Sequence, residues 1–299
     1  MKYPLATETW TNKEKDAAKK VIDSGLCTMG PITKEFESTF AEMFGSRFAV
    51  FSNSGSSANL LAIAALCFKK NGVKPGDEVL VPAVSWSTTY YPLQQYGLKL
   101  VFVDVNESDF NINIEEVKKA ITPKTKAVMA VNLLGMPCDL TDLLLLCEEN
   151  GLYLIEDNCE SMGATIDEMQ CGTVGHIGTF STFFSHHICT VEGGVTVTDD
   201  EELYQIMLSL RAHGWTRNLP DNNFLENKTG NPFHDSFRFI LPGYNLRNND
   251  IFAAIGLEQL NKINYFVDIR RQNHAYLGWS VSDINFSDNF QIQLSTSNS

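Results

Sequence analysis

The most constraining feature of this chain is a repeated alternation of short apolar runs with longer helical patterns, starting near residue 48. Phe48–Phe51, Glu78–Val81, Leu100–Val105, Ala127–Val131 and Tyr153–Ile155 are each short enough for one strand. Between them, Ala58–Phe68, Thr88–Gln95, Ile114–Ile121 and Leu140–Glu149 carry apolar residues at helical spacing. Strands that alternate with helices imply βαβ units, and a mostly parallel sheet covered by helices on both faces. Before this region, residues 11–45 read as two helices around an exposed turn at Gly25–Pro31, the second with Phe36, Phe40 and Phe44 at spacing four. After it, Ile251–Asn273 reads as one long helix leaving a large domain of residues 1–250. The tail from about residue 280 shows little periodicity, so residues 251–299 read as a linking helix and an incomplete C-terminal segment.

Composition narrows the function. Of 299 residues, 43% are hydrophobic and 20% charged, with a formal net charge of -13, which disfavours nucleic acid or an anionic membrane as partner. The N-terminus lacks an apolar leader pattern and no run is long enough to span a bilayer, so a cytoplasmic location is expected. Seven scattered cysteines without a CxxC pair suit reduced thiols, and no metal site is expected.

In open α/β sheets, chemistry gathers just beyond the carboxyl ends of strands. That rule selects 52–57, 83–87, 156–160 and 181–192. Ser54, Gly55, Ser56 and Ser57 follow a strand and open a helix, which aims backbone N–H groups and hydroxyls at one spot, as a phosphate cradle requires. The same residues also read simply as a helix N-cap. Asp157 ends an apolar strand and could hold a pyridine nitrogen protonated, or serve as a cap or ion-pair partner. Trp86 could stack on a flat ring, or be core.

Taken together, these segments resemble the DegT/DnrJ/EryC1/StrS sugar aminotransferase family of fold-type-I pyridoxal phosphate enzymes. The resemblance runs from about residue 3 to 275, through FxxxFGSRFAVFSNSGSSANLL, VPAVSWSTTYYPLQQYG, VDV, VNLLG, IEDNCESMGA, GTFSTFFSHHICTVEGG, LRAHGW and PGYNLR. It implies a fold-type-I scaffold with a truncated C-terminal small domain. It also implies that the Ser-Gly-Ser loop and Ser181 hold the phosphate of pyridoxal 5'-phosphate, or of its pyridoxamine form. Trp86 would stack on the ring, Asp157 would pair with its nitrogen, and Asn245 would reach the phosphate of a neighbouring subunit in a homodimer.

One departure redirects this reading. The family's Schiff-base lysine falls five residues after the serine here numbered 181, where this chain has His186, and no lysine occurs between Lys126 and Lys228. Without that amine there is no internal aldimine, and a sugar amine is not readily released by transaldimination. Imidazole can take and give protons near neutrality, work of roughly 10²- to 10⁴-fold in rate. The His186-His187 pair resembles the family's dehydratase branch, which implies C3 dehydration of a GDP-linked 4-keto-6-deoxy sugar with L-glutamate as amino donor. Glu160 is a candidate for the cofactor hydroxyl or for a supporting role. His213 and Arg217 are candidates for substrate or glutamate contacts, or loop charges, and His187 reads as orienting or structural. The rivals are a sugar aminotransferase, a CDP-sugar dehydratase with a cysteine-held iron–sulfur cluster, disfavoured because no cysteine follows Cys189, and a non-catalytic cofactor-binding relative.

Overall fold

The computed structural model describes residue 4 and residues 6–283. The tail beyond 283, and with it the expected incomplete small domain, lies outside the described residues. Two helices come first, α1 (Asn12–Ser24) and α2 (Pro31–Phe44). The alternating region follows as β1 (Phe48–Ser52), α3 (Gly55–Phe68), β2 (Glu78–Pro82), α4 (Ser87–Gln95), β3 (Lys99–Val103), α5 (Ile114–Ala120), β4 (Thr125–Val131), α6 (Leu140–Asn150) and β5 (Tyr153–Asp157). A small hairpin, β6 (Thr165–Ile166) and β7 (Met169–Gln170), precedes β8 (Ile177–Ser181) and β9 (Gly194–Thr198). The described chain closes with α7 (Glu201–Arg211), α8 (Pro232–Ser236), α9 (Asp250–Leu260) and α10 (Ile263–Asp283).

Seven strands form one sheet in the order β1-β9-β8-β5-β4-β2-β3. The β2–β3, β2–β4, β4–β5 and β5–β8 pairs are parallel, whereas β9 runs antiparallel to both β8 and β1. The carboxyl ends of β1, β5 and β8 therefore open on one edge, as the α/β expectation requires. The sequence reading omits β8 and β9 because threonines interrupt their apolar character. Both strands are buried along their whole length, and their hydroxyls are satisfied internally. Thr196 Oγ1 donates to the Ala58 carbonyl at 3.1 Å, and Thr198 Oγ1 to the His176 carbonyl at 2.7 Å.

Helix α3 is apolar nearly all round and is buried between the sheet and α7. On the sheet's first edge, Phe36, Phe40, Phe44, Phe51 and Phe180 form a third core cluster with Ala253, Leu260 and Ile263. The expected single helix over 251–273 is thus two helices. The first, α9, does not leave the domain: it packs on α1 and α2, and a Cβ on Gly256 would lie 2.5 Å from the Phe36 ring. The break falls at Asn261-Lys262, where the Lys262 ammonium pairs with buried Glu14 of α1. No described helix is long and apolar enough to cross a membrane.

Candidate active site

Ser54 caps α3, its Oγ accepting from Ser57 N at 3.1 Å. The Ser54 hydroxyl donates to Ser57 Oγ, which donates to Asn53 Oδ1 at 2.6 Å, while Ser56 Oγ, on the exposed side, donates to Thr88 Oγ1 at 3.0 Å. Gly194 lets this loop lie directly on β9, since a Cβ there would meet the Ser54 carbonyl at 2.1 Å. Ser181, at the end of β8, joins the same cluster. A Cβ added to Gly55 would lie 2.7 Å from its Cβ and 3.0 Å from its Oγ. The N-terminal turn of α3 thus offers N–H groups, a positive dipole end and several hydroxyls in one place, a donor set that suits a phosphate.

Asp157, the last residue of β5, faces the next turn of α3 and is only 5% exposed. Its Oδ2 accepts from Asn59 Nδ2 at 2.9 Å and from Thr89 Oγ1 at 2.8 Å, and its Oδ1 from Cys159 N at 3.2 Å. Thr179 Oγ1 of β8 in turn donates to Asn59 Oδ1 at 2.6 Å, fixing which way that amide points. Three elements thereby aim one carboxylate, and every partner is a donor. Its sequence neighbour Glu156 faces the other side of the sheet and is structural. Burial raises its pKa, opposed by Gly175 N and Gly172 N, which both donate to it at 2.6 Å. Trp86 stands at the N-terminus of α4, 69% exposed, with its carbonyl accepting from Thr89 N at 3.1 Å. A large apolar face is thereby presented one turn before Thr89, which donates to Asp157.

His186 follows β8 on a turn closed by His186 N donating to the Phe183 carbonyl. Its Nδ1 is 2.7 Å from the Cys159 carbonyl oxygen. A carbonyl can only accept, so Nδ1 carries a hydrogen, and in the neutral ring Nε2 is the nitrogen with the lone pair that a proton acceptor needs. Because Cys159 N also donates to Asp157, His186 and Asp157 are tied to the same residue. His187 points elsewhere. Burial, then Arg270 and His186, push its pKa down to about 3, and its Nδ1 has no partner among the described residues, which keeps it a neutral, structural ring.

The remaining candidates lie at the rim or beyond. Glu160 Oε2 accepts from Leu134 N at 3.1 Å, so this carboxylate braces the left-handed residue Leu134 (φ 52°). Asn245 is exposed, and its Oδ1 accepts from Arg247 Nε at 3.1 Å. Arg247 bridges Ser52 through its main chain, which puts Asn245 near the cradle end of β1. His213 is itself left-handed (φ 63°); its Nε2 is 3.3 Å from Arg247 Nη2 and its ring packs edge-on to Trp215. Arg217 is not brought to His186 within one chain. It sits over the Trp215 ring and lines a cavity of about 800 Å³ that includes Lys34, Arg47 and Phe48, at the far end of β1 from Ser54.

Asn59, Thr89 and Thr179, which aim Asp157, are missed by the sequence reading. Asn59 leaves a signal, being the lone amide in an otherwise apolar helix, whereas the two threonines leave none. The buried Glu37–Arg211 pair beneath the cradle is missed too. Glu37 Oε1 accepts from Phe51 N at 2.8 Å and Arg211 Nη1 donates to Phe51 O at 2.8 Å, so the pair holds the last turn of β1 from both sides.

Comparison with known proteins follows this geometry. The chain is 55% identical over 273 residues to a GDP-4-keto-6-deoxy-D-mannose 3-dehydratase of Yersinia pseudotuberculosis, covering 91% of this chain and 70% of that protein. Its structure matches an E. coli GDP-4-keto-6-deoxy-D-mannose-3-dehydratase with bound hydrated PLP, with a TM-score of 0.92 and 52% identity over 95% of this chain and 73% of the other. A mutant GDP-4-keto-6-deoxymannose-3-dehydratase with bound GDP-perosamine matches with a TM-score of 0.90 and 53% identity, over 92% and 72% of the two chains. The model of the DegT/DnrJ/EryC1/StrS aminotransferase family matches residues 8–297, and this chain belongs to that family.

Proposed function

We propose that this chain removes the C3 hydroxyl of GDP-4-keto-6-deoxy-D-mannose, with pyridoxal 5'-phosphate cycling through its pyridoxamine form and L-glutamate as amino donor. The observation that carries the reading is His186 in the Schiff-base slot, held with Nε2 free by the Cys159 carbonyl. The 55% identity to a protein of that activity supports the choice of sugar and nucleotide.

Bound here, the cofactor supplies an amino group for the sugar ketone and a ring that takes up the electron pair released when a proton leaves. Ser54, Gly55, Ser56, Ser57 and Ser181 would hold its phosphate at the α3 N-terminus, and Trp86 would cover its ring. Asp157 would pair with the ring nitrogen and favour its protonated form. Glu160, which accepts from Leu134 N, takes the supporting role at the edge of the site rather than bonding the cofactor hydroxyl. His186 Nε2 accepts a proton, and the resulting imidazolium hands it to the hydroxyl departing from C3, so one group serves both directions.

Asn245 completes the phosphate shell of a second copy, which makes the working form a homodimer. His213 and Arg217 belong to the same outward-facing segment and meet substrate from the partner's side. The cofactor-binding domain runs past residue 250 to include α9, which packs on α1 and α2, with α10 following it. The test is consumption of GDP-4-keto-6-deoxymannose by the protein with pyridoxal phosphate and glutamate. Release of the 4-keto-3,6-dideoxy sugar is expected, with a loss of about 10²- to 10⁴-fold for His186→Asn. An unchanged rate in that variant refutes the reading.

A further inference from the structure

Helix α10 approaches the His186 loop from behind, and two successive arginines reach different main-chain segments. Arg270 Nη2 donates to the His186 carbonyl at 3.3 Å, and Arg271 Nη2 to the Gly163 carbonyl at 3.4 Å. One turn earlier, Val267 lies so close to Gly163 that a Cβ there would sit 2.5 Å from its Cγ2. Gly163 is also left-handed, with φ +91°, so this contact needs glycine twice over.

The two segments gripped by α10 are the ones joined by the bond from His186 Nδ1 to the Cys159 carbonyl. His186 lies on one side, and on the other the short run from Cys159 to Gly163. If the segments slide apart, the ring loses the acceptor that decides which nitrogen carries hydrogen. A hydrogen bond is lost within a few tenths of an ångström and a modest change of angle. A single 21-residue helix that holds both segments opposes that slide.

We propose that Arg270 and Arg271 are positioning residues, which keep His186 in its Nδ1–H form by fixing its loop against the Cys159–Gly163 run. The inference rests on the reading of His186 as the acid/base group. Both arginines reach main-chain carbonyls, and so act on His186 through the position of its loop.

The test uses ¹⁵N-labelled full chain without cofactor, read by long-range ¹H–¹⁵N spectra of the histidine rings, with His186→Asn assigning the signal. Wild type is expected to show His186 as a single Nδ1–H tautomer. Arg270→Met and Gly163→Ala, which loosen the clamp from opposite sides, are expected to shift it toward the Nε2–H form. With cofactor and glutamate, both should lower kcat about ten- to a hundredfold and leave KM unchanged. Arg270→Lys, which keeps a donor, should restore the wild-type tautomer and most of the rate. A wild-type tautomer in both Arg270→Met and Gly163→Ala overturns the proposal, as does an Nε2–H signal in wild type. Failure of the dehydratase reading shows differently: turnover survives in His186→Asn, while the ring spectra still report on the clamp.

Discussion

Asp157 and Asn245 occupy opposite extremes of the same site. The first is 5% exposed and receives hydrogen bonds from α3, α4 and its own strand end; the second is exposed, and its side chain accepts from Arg247, two residues along its own loop. The floor, built from the ends of β1, β5 and β8, is closed on itself, so its geometry is set before any ligand arrives. The rim, residues 212–247, instead turns side chains outward, with Phe233, Phe237 and Phe239 each more than half exposed. Groups that aim the floor are thus held by several elements of one chain, while those of the rim are left open to whatever covers them.

This contrast breaks most readily at the buried Glu37–Arg211 pair under β1. Arg211→Met leaves Glu37 buried without its countercharge and should cost about 3–5 kcal/mol of stability, read from the denaturant midpoint. Arg247→Met, at the rim, should change the same midpoint little. Next is pH. Burial raises the Glu14 pKa, but Lys262, Thr11 and Gln259 outweigh it and hold it at about 2 against an ordinary 4.5. A depressed acid stabilises the fold above its unfolded value. The α1–α9 seam should therefore lose up to about 3 kcal/mol as pH falls from 4.5 toward 2, and Glu14→Gln should flatten that part of the acid-unfolding curve.

Asp157→Asn keeps the shape but turns an NH₂ group toward the donors of Asn59 and Thr89. A loss of about 1–3 kcal/mol is expected, together with weaker pyridoxal phosphate binding measured by titration. Asn245→Ala should leave stability within about 0.5 kcal/mol while also weakening cofactor binding. Mixing Asn245→Ala chains with His186→Asn chains sharpens the comparison. If each site takes Asn245 from the partner, the mixed dimer regains one complete site and activity returns; if both residues act within one chain, it does not.

How much was legible in the sequence follows the same division. Five of the seven sheet strands announce themselves as short apolar runs, and the strand-end rule leads to Ser54–Ser57 and Asp157, whereas His186 is singled out by the family's lysine slot. Strands β8 and β9 hide because buried threonines look like surface residues until their hydroxyls find Asn59, Ala58 and His176. Thr89 leaves no mark either, since its bond to Asp157 spans 68 residues. The break at Asn261-Lys262 is set by Glu14, far away in α1, and not by any Gly or Pro nearby. At the rim, local sequence pattern does not single out Asn245, His213 and Arg217, because they stand on irregular loops where no strand or helix periodicity marks a face.

The most direct test of the central claim, that His186 replaces the Schiff-base lysine, is spectroscopic. Wild type and His186→Lys are incubated with pyridoxal phosphate and glutamate, then treated with borohydride. The account predicts that in wild type the aldehyde band gives way to that of the amine form and borohydride attaches no cofactor to the chain, whereas His186→Lys becomes covalently labelled. Covalent labelling of wild type, or a wild type that binds no cofactor, would contradict it.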